Sequence, residues 1–289
     1  MNWRKVKKII LFYYLILALA FGYSACLIYN LAGPHYLSVY FLDIGQGDSI
    51  LIRTPNFQNI VIDGGPDNTL IYKLGRYLPY FDRTIDLMVL SHPDSDHLIG
   101  LVEMLKRYQI KAILFTNAYD KSPTYDEFKK LALKNNCRLL LAGEISKINI
   151  SEKLNLEIMY PQQNVAGVKI KDNNDLSLVF KFNYKDISIL FTGDAPKKIE
   201  DILISEGANL ASTVLKVSHH GSNISTSDNF LDAVRPQLAI ISVGQNHFNH
   251  PTPEVIGRLA NHKIITLITL KLGDIEIRSD GHGISTFSP

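Results

Sequence analysis

Cysteine is scarce in this chain of 289 residues. The two cysteines are Cys26 and Cys137, and Cys26 lies in a strongly apolar N-terminal stretch, so the two are not expected to pair. A disulfide framework is therefore excluded as the basis of the fold. Hydrophobic residues make up 46% of the chain, which is enough for a substantial core, and the length suits one large domain or two small ones.

A strong excess of either charge is also lacking. The formal net charge is +2, from 30 basic and 28 acidic residues. Four of the basic residues precede the first acidic residue of the chain: Arg4, Lys5, Lys7 and Lys8. Without these four, the chain has 26 basic and 28 acidic residues. The body of the chain is thus mildly acidic. It offers no overall electrostatic attraction for nucleic acid, although a local basic patch is still allowed.

Internal repeats, low-complexity segments and a dinucleotide-binding fingerprint are lacking as well, since Gly45-Gln46-Gly47 is not followed by a helix. The order of apolar segments predicts two sheets packed between helices rather than a parallel Rossmann sheet. Strands are expected near residues 37–43, 49–53, 58–62, 85–90, 111–115, 138–141, 147–150, 154–160, 177–182, 187–191, 213–217, 237–243, 263–269, 274–279 and 284–287, and helices near 70–78, 98–108, 122–135, 195–204 and 252–260.

A long uncharged run is present at the N-terminus. Residues 9–29 form a stretch of 21 residues without charge, long enough to cross a bilayer as a helix. The basic flank places residues 1–8 in the cytoplasm. We therefore expect a cytoplasmic flank and uncleaved single-pass anchor over residues 1–33, followed by a domain over residues 34–289 outside the cytoplasmic membrane. A cleaved signal peptide, a lipoprotein processing site at Cys26 and a buried core helix are the alternatives.

Four side chains that can bind a metal occur within six residues: His92, Asp94, Asp96 and His97. They lie between a predicted strand and a helix predicted to begin at Leu98, so an extended loop is expected, in which alternate side chains point the same way. Imidazole suits zinc, manganese and iron, while carboxylates favour harder ions such as manganese. An acidic loop that only caps the helix would need Asp96 alone, so the pattern favours a metal site.

Two further carboxylates follow predicted strands. Asp63, before Gly64 and Gly65, can hydrogen-bond a histidine that binds metal and so orient it, or it can serve as an ordinary turn residue. Asp194 can complete the shell of one metal or bridge two, or it can cap the helix that follows.

Histidines form a third group after a strand. One of His219 and His220 is expected to bind the metal, and the other to hold a carboxylate or the substrate. His250, in the loop before the last long helix, can reach the substrate side of the same site. Acidic or histidine groups after several strands indicate one common site, because scaffolds of this type place their chemistry at strand ends.

In this order, the motifs resemble those of the metallo-β-lactamase superfamily: Asp63-Gly64-Gly65, Ser91-His92-Pro93-Asp94-Ser95-Asp96-His97, Thr192-Gly193-Asp194 and Ser218-His219-His220-Gly221-Ser222. More narrowly, they are similar to the hydrolase domain of the ComEC group of competence DNA-uptake proteins. That group shares the opening motif Phe41 to Ser49, an aspartate at position 94 and the run Leu215 to Ser222. The resemblance covers about residues 37–289 and implies an α+β fold, a four-layer αβ/βα sandwich, with the site on the shared edge of its two sheets.

The sequence departs from the superfamily in two places. Most members have another histidine between the metal loop and Thr192, whereas this chain has no histidine from Lys171 to Ser177. The ComEC group also has a polar residue there, so Asn174 is expected to support the site without binding metal. The ComEC group has two glycines in the pattern Asp-His-x-Gly-Gly, whereas this chain reads Asp96-His97-Leu98-Ile99-Gly100 and so retains only the second glycine. One tight metal and a weak or absent second one are therefore expected, giving one or two ions of zinc or manganese.

The resemblance implies a metal-dependent hydrolase, a phosphodiesterase or nuclease that acts on DNA. Together with the apolar N-terminal run, it predicts a membrane-anchored enzyme that acts outside the cytoplasmic membrane. Asp96 or Asp94 would accept a proton from the attacking water. By their chemistry alone, Lys216 and Ser222 are expected to contact a phosphate of the substrate, and His250 is expected on the substrate side of the site. A separate channel protein would be its partner in DNA uptake. Two alternatives stay open: hydrolysis of a small ester, lactone or phosphodiester, and a binding domain without catalysis. The candidate metal ligands are His92, Asp94, Asp96, His97, Asp194, His219 and His220, and only one of the last two is expected to bind.

Overall fold

A computed structural model describes residues 3–32, 36–169 and 171–288. The chain begins with helix α1 (Trp3–Ala32). Within it, the candidate span Trp3–Cys26 contains an 18-residue window with a mean hydropathy of 2.1, and none of that window is buried against the rest of the protein. By length and composition this helix could span a membrane. The predicted break at Gly33-Pro34, and with it the boundary between the two predicted domains, lies outside the described residues.

Two mixed sheets form the body of the molecule. The first has the strand order β15-β14-β1-β2-β3-β4-β5-β6. Its strands from β3 to β6 are parallel and the others antiparallel. The strands are β1 (Leu37–Phe41), β2 (Ile50–Arg53), β3 (Asn59–Ile62), β4 (Thr84–Val89), β5 (Gln109–Phe115), β6 (Arg138–Leu141), β14 (Ile275–Ser279) and β15 (Ile284–Phe287).

The second sheet repeats this plan with the order β13-β12-β11-β10-β9-β8-β7. Strands β10 to β13 are parallel, while β7 to β10 are antiparallel. The parallel half needs crossover connections, which helices provide. The strands are β7 (Lys147–Ser151), β8 (Leu154–Tyr160), β9 (Val179–Tyr184), β10 (Ile187–Phe191), β11 (Val214–Lys216), β12 (Leu238–Ile241) and β13 (Ile265–Ile268).

Helices cover the outer face of each sheet. The helices α2 (Thr69–Tyr77), α3 (Ser95–Leu105) and α4 (Pro123–Lys134) share a core with the first sheet. The second sheet shares its outer core with α5 (Lys197–Ser205), α6 (Asp228–Val234) and α7 (Pro253–Asn261), and the short α8 (Thr269–Leu272) follows β13. The predicted cap of α4 is present, because the Ser122 hydroxyl accepts a hydrogen bond from the Thr124 amide at 3.2 Å.

The two sheets pack face to face over a third core. Buried side chains from both sheets meet there, and the ring centroid of Phe191 lies 5.0 Å from that of Phe180 and 6.3 Å from that of Phe41. Three apolar cores separated by two sheets make the four-layer αβ/βα sandwich that the sequence predicted.

Two helix starts differ from the prediction. Helix α3 begins at Ser95 rather than Leu98, so Asp96 and His97 lie in its first turn and not on an extended loop. That turn is polar and carries no apolar periodicity, which is the reason the sequence pattern missed it. Helix α5 begins at Lys197 with Pro196 as its N-cap, so Asp194 does not cap it. Helix α6, only seven residues long, was not predicted.

Candidate metal centre

The predicted site residues converge at one edge of the sandwich, where the middle strands of both sheets end. From the first sheet, Asp63 follows β3, His92 and Asp94 lie in the connection from β4 to α3, and Asp96 and His97 lie in the first turn of α3. From the second sheet, Asp194 follows β10, and a short 3₁₀ turn with His219 and His220 follows β11. Strands β3 and β4 are parallel, as are β10 and β11, so the carboxyl ends within each pair lie at the same edge.

Close backbone packing fixes the start of α3. A Cβ atom on Gly100 would lie 1.9 Å from the Gly64 carbonyl oxygen, so glycine alone allows this approach. The Gly64 amide donates to the His97 carbonyl at 2.7 Å, and the Gly100 amide donates to the Gly65 carbonyl at 3.1 Å. The paired glycines after β3 thereby hold the first turn of α3, and His97 with it, against the sheet.

The histidine turn after β11 has an unusual backbone. His219 and His220 have φ angles of 49° and 53°, in the left-handed region that most residues avoid. The amide of His219 donates to the Gly193 carbonyl at 3.3 Å, and the Ser218 hydroxyl donates to the Ala195 carbonyl at 2.6 Å. These bonds join the turn to the segment around Asp194 and direct both imidazoles toward it.

Four imidazoles surround one carboxylate oxygen. The Nε2 atoms of His97 and His220 each lie 3.4 Å from Asp194 Oδ2, while those of His219 and His92 lie at 3.9 and 4.0 Å. Two other carboxylates join the group, because Asp96 Oδ2 lies 3.3 Å from His220 Nε2 and Asp94 Oδ2 lies 3.7 Å from His92 Nε2. All seven residues predicted as metal ligands therefore face one space.

The other ring nitrogen of three histidines is already engaged. Nδ1 of His97 lies 2.9 Å from Asp63 Oδ2, Nδ1 of His220 lies 2.9 Å from the Ser242 carbonyl oxygen, and Nδ1 of His92 lies 2.9 Å from the Ser91 hydroxyl. A hydrogen on Nδ1 leaves the lone pair of Nε2 directed into the cluster. Asp63 thus contacts His97 as the sequence suggested, and its second oxygen accepts from the Ser91 amide at 2.8 Å.

This donor set fits a divalent cation. The Nε2 atoms of His92, His97 and His220 are buried and have no hydrogen-bond partner among the described residues, which costs about 1–3 kcal/mol for each unpaired polar group. Two donors at zinc-ligand distances around a tetrahedral ion lie roughly 3.3–3.5 Å apart, as the closest nitrogen–oxygen pairs do here. Overlapping groups of three donors allow one or two ions: His92, His97 and Asp194; Asp96, His97 and His220; Asp48, Asp194 and His220.

The sequence of residues 42–245 matches the family model of the metallo-β-lactamase superfamily. The chain belongs to the metallo-β-lactamase superfamily. It is 28% identical to ComE operon protein 3 of Bacillus subtilis (strain 168) over 272 residues, 86% of this chain and 34% of that protein. It is 32% identical to competence protein ComA of Neisseria gonorrhoeae over 233 residues, 78% of this chain and 30% of that protein. The predicted relation to the ComEC-like competence proteins is therefore confirmed, and the chain spans about a third of the length of these relatives.

A solved structure shares the fold. The metallo-β-lactamase fold protein YhfI from Bacillus subtilis matches with a TM-score of 0.56 at 9% identity, over 84% of this chain and 100% of that chain. At this identity the likeness concerns the fold alone. Membership of the superfamily implies a divalent metal, and the cluster around Asp194 is where this metallo-β-lactamase domain would hold it.

The ionisable groups of the metallo-β-lactamase cluster shift the pKa values of one another strongly. Burial opposes the negative charge of Asp194, but the imidazoles of His220 and His97 hold its pKa well below the ordinary value. Burial also opposes a proton on His220, yet Asp194, Asp48 and Asp96 raise its pKa to about 10. Burial and the charge of His97 lower the pKa of His92 to about 3. Asp194 therefore stays ionised and draws positive charge to the site.

Asp48 is a site residue to which sequence reasoning assigned no role. Its side chain is 1% exposed and forms an ion pair with Lys216, and its Oδ1 lies 3.5 Å from His220 Nδ1. The chain reaches this place through Gly47, where a Cβ atom would lie 2.2 Å from the Asp96 carbonyl oxygen. The sequence did carry a signal for it, since Asp48 is the carboxylate of the glycine-rich turn in the opening motif shared with the ComEC group.

The three residues predicted to contact substrate differ in how accessible they are. Lys216 is 1% exposed and is held by Asp48 and by the Gly193 carbonyl at 3.2 Å, so its contacts favour a structural role over the predicted one. Ser222 is buried as well, with its amide bonded to the His219 carbonyl. His250 is partly buried, and its ring centroid lies 5.6 Å from that of His219, which keeps it beside the metallo-β-lactamase cluster.

A groove of about 720 Å³ opens next to Asp94. Asn173 donates to Asp94 Oδ1 at 2.7 Å and to Asp120 Oδ2 at 3.1 Å, so it connects the metal cluster to the groove wall. The neighbouring Asn174, predicted to support the site, is buried with its Oδ1 unpaired among the described residues. The groove is lined by Asp94, Tyr119, Asp120, Lys121, Lys171, Asp172, Asn173, Asp175 and Lys198.

Proposed function

We propose that this chain is a membrane-anchored, metal-dependent phosphodiesterase that cleaves DNA outside the cytoplasmic membrane. The observation that carries the hydrolase part is the convergence of four imidazole Nε2 atoms on Asp194 Oδ2. The DNA part is supported by the relatives that are named for competence and by the exposed lysines of the adjoining groove.

Each group of the cluster has a defined task in this proposal. His92, His97 and Asp194 would hold one zinc or manganese ion, and Asp96 with His220 would contribute to a weaker second position. His219 lies beside Asp194 and would support either position. A bound divalent ion supplies charge neutralisation for the phosphate and lowers the pKa of water to about 7. Asp63, through its bond to His97 Nδ1, keeps the metal-facing nitrogen deprotonated.

Asp94 is better suited than Asp96 to accept the proton of the attacking water. Burial raises the pKa of Asp94 above its ordinary value. Burial acts in the same direction on Asp96, but the neighbouring imidazoles of His220 and His97 lower its pKa well below the ordinary range, so Asp96 binds a proton weakly. Asp94 has 38% of its side chain exposed and lies at the border between cluster and groove, where a water can reach it.

The test is metal-dependent cleavage of fluorescent single- and double-stranded DNA by the purified chain. After removal of metal with a chelator, activity should return with zinc or manganese. Asp194→Asn should lower both bound metal and kcat at least about 100-fold. Asp126→Asn, on an exposed position of α4, is the matched control and should behave like wild type.

Failure of the nuclease part is distinguishable from failure of the metal site. A chain that binds metal, and loses it in Asp194→Asn, but cleaves no nucleic acid would contradict the DNA substrate. The groove has more carboxylates than lysines, and this observation favours a small phosphodiester or ester as the second candidate. Assays with chromogenic phosphodiesters and carboxyl esters separate the two.

The membrane anchor and the side on which the domain lies are part of the proposal. They are supported by the unburied apolar helix and by the basic residues Arg4, Lys5, Lys7 and Lys8 at its start. A separate DNA-uptake channel protein is the proposed partner, because the matched relatives extend far beyond the region shared with this chain. Protease protection of the domain in intact spheroplasts would contradict the external location.

A further inference from the structure

The sandwich has two edges with opposite character. The metal cluster follows the carboxyl ends of β3 and β4. The amino end of β1, which leads from α1, lies at the other edge, since Leu37 pairs with Ser279 and Ser38 pairs with Arg53. Arg53 in turn pairs with Asn59 at the start of β3, and the starts of β4 and β5 meet at Thr84 and Gln109. The apolar helix and the metal cluster therefore connect to opposite edges.

The edge that carries the start of β1 is held close to the end of α1. Five residue steps separate Ala32 from Leu37, and an extended chain covers at most about 18 Å in five steps. Any bilayer that α1 crosses thus lies near this edge.

Aromatic and basic side chains are exposed at the same edge. Tyr80 and Phe81, in the loop that leads from α2 to the start of β4, are 90% and 74% exposed. Arg76 and Arg83 flank them and are also exposed. The loop has a fixed backbone, because the Asp82 amide donates to the Pro79 carbonyl at 2.9 Å, and Asn59 donates to the Asp82 carboxylate at 2.8 Å.

This combination matches the surface of an anionic bilayer. Tyrosine and phenylalanine partition to the headgroup region, and arginines beside them attract acidic lipids. Tyr36, immediately before β1, adds to it, with the guanidinium of Arg278 5.2 Å from its ring centroid. Large exposed aromatic side chains on a fixed loop are otherwise unfavourable in water.

We propose that this edge rests on the lipid bilayer, with Tyr80 and Phe81 inserted at headgroup level and the metal cluster directed away from the membrane. The inference rests on the membrane anchoring in the proposed function. Strand β4 has six residues and separates the two edges by about 20 Å. A lipid headgroup of the same membrane is then out of reach of the cluster, and a substrate must arrive from the aqueous side.

Depth-dependent quenching of tryptophan fluorescence tests this orientation. Trp3 is the one tryptophan of the chain, so the full-length Trp3→Phe variant provides a dark background. Tyr80→Trp reports on the proposed contact. Phe248→Trp reports on the opposite edge, since Phe248 is 68% exposed and its ring centroid lies 5.7 Å from that of His250. Each is reconstituted in phosphatidylcholine–phosphatidylglycerol vesicles with brominated acyl chains.

Tyr80→Trp should lose roughly half of its emission relative to unbrominated vesicles, with a blue shift, whereas Phe248→Trp should be unchanged. Equal quenching at both positions, or quenching at Phe248→Trp alone, would overturn the orientation. Flotation of the wild-type chain with the same vesicles is measured in parallel. A chain that does not float contradicts the anchor itself, while a chain that floats with Tyr80→Trp unquenched contradicts this inference only.

Discussion

Lys216 and Asp48 form a fully buried ion pair directly beneath the metal cluster. Burial opposes the charge on both side chains, yet each holds the other ionised, since Lys216 lowers the pKa of Asp48 and Asp48 raises that of Lys216. Asp194 Oδ1 lies 3.9 Å from the ammonium. Lys216 therefore offsets negative charge that the cluster gathers, whether or not a substrate is bound.

Lys216→Met should destabilise the fold by about 3–5 kcal/mol, because it leaves the Asp48 carboxylate buried without its partner. Urea denaturation measures the change. The double variant Lys216→Met with Asp48→Leu is the control and should regain most of the loss, since neither charge is then left alone. If Lys216→Met is as stable as wild type and has a raised KM for DNA, this result would contradict the structural role and support the substrate contact that the sequence predicted.

The sequence indicated the metal-binding side chains, and it suggested Asp63 as the partner of a histidine, but it did not indicate the other contacts around the site. His92, Asp94, Asp96 and His97 are adjacent in the chain, and their chemistry alone indicated a metal. The role of Asp48 depends on contact with Lys216, 168 positions away, and no local pattern reports such a contact. Similarly, Asn173 rather than Asn174 bonds Asp94, because the choice between neighbours depends on the backbone of a 3₁₀ turn.

The junction of α3 with the end of β3 depends on Gly100. Gly100→Ala should destabilise the protein by about 1–3 kcal/mol, since its Cβ would overlap the Gly64 carbonyl and the helix must shift. Metal affinity should fall with it, because His97 lies in the first turn of α3. Gly75→Ala in α2 is the matched control: its Cβ would meet nothing within 4 Å, and it should gain up to about 1 kcal/mol.

Thermal or urea unfolding and metal titration calorimetry check both glycine variants. If the two substitutions have equal effects, the close approach of α3 to Gly64 does not determine the stability of the protein or its metal affinity.

Glu200 of α5 holds the segment that follows the histidine turn. Its carboxylate accepts hydrogen bonds from the Thr226 amide, from the Ser227 amide at 3.0 Å and from the Ser227 hydroxyl at 2.7 Å. Ser225 then donates to the Ser218 carbonyl at 3.1 Å. Burial nevertheless raises the pKa of Glu200 above its ordinary value of 4.5, against the effect of these bonds.

A raised carboxyl pKa means that the folded state binds the proton more tightly than the unfolded state does. The stability contribution of Glu200 is therefore present below about pH 4.5 and is lost as the pH rises through the raised value. Glu200→Gln cannot titrate, so the free energy of unfolding of wild type should fall relative to this variant between pH 4.5 and pH 7. Paired urea denaturations at both pH values check it, and a shift in favour of wild type at pH 7 would contradict the direction.

Most strands and helices were predictable because burial imposes a period on their sequence. The exceptions have a common cause. The first turn of α3 and the whole of α6 are short, and α6 is capped by Ser227, so their apolar residues are too few to show a helical repeat. The error in α3 mattered, since it placed Asp96 and His97 on a loop when the helix orients them.

At the scale of the whole molecule, the proposed bilayer contact, the metal cluster and the groove occupy different places. The proposed bilayer contact lies at one edge of the sandwich, the metal cluster at the other, and the groove opens beside Asp94. All three groove lysines, Lys121, Lys171 and Lys198, are exposed, and Lys198 forms an ion pair with Asp175. Tyr119 is 39% exposed, and the ammonium of Lys169 lies 4.8 Å from its ring centroid. Phosphates of a polymer that continues past the metal would pass these lysines.

Charge reversal in the groove should therefore separate a polymeric substrate from a small one. Lys121→Glu with Lys171→Glu should raise KM for DNA about tenfold at low salt and weaken its salt dependence, because two phosphate contacts are lost. Hydrolysis of a chromogenic phosphodiester, which occupies only the cluster, should change little. Lys130→Glu, 77% exposed on α4, is the matched control. A KM for DNA that does not respond to the double reversal would place the path of the polymer elsewhere, and a parallel loss with the small diester would indicate damage to the metal cluster itself.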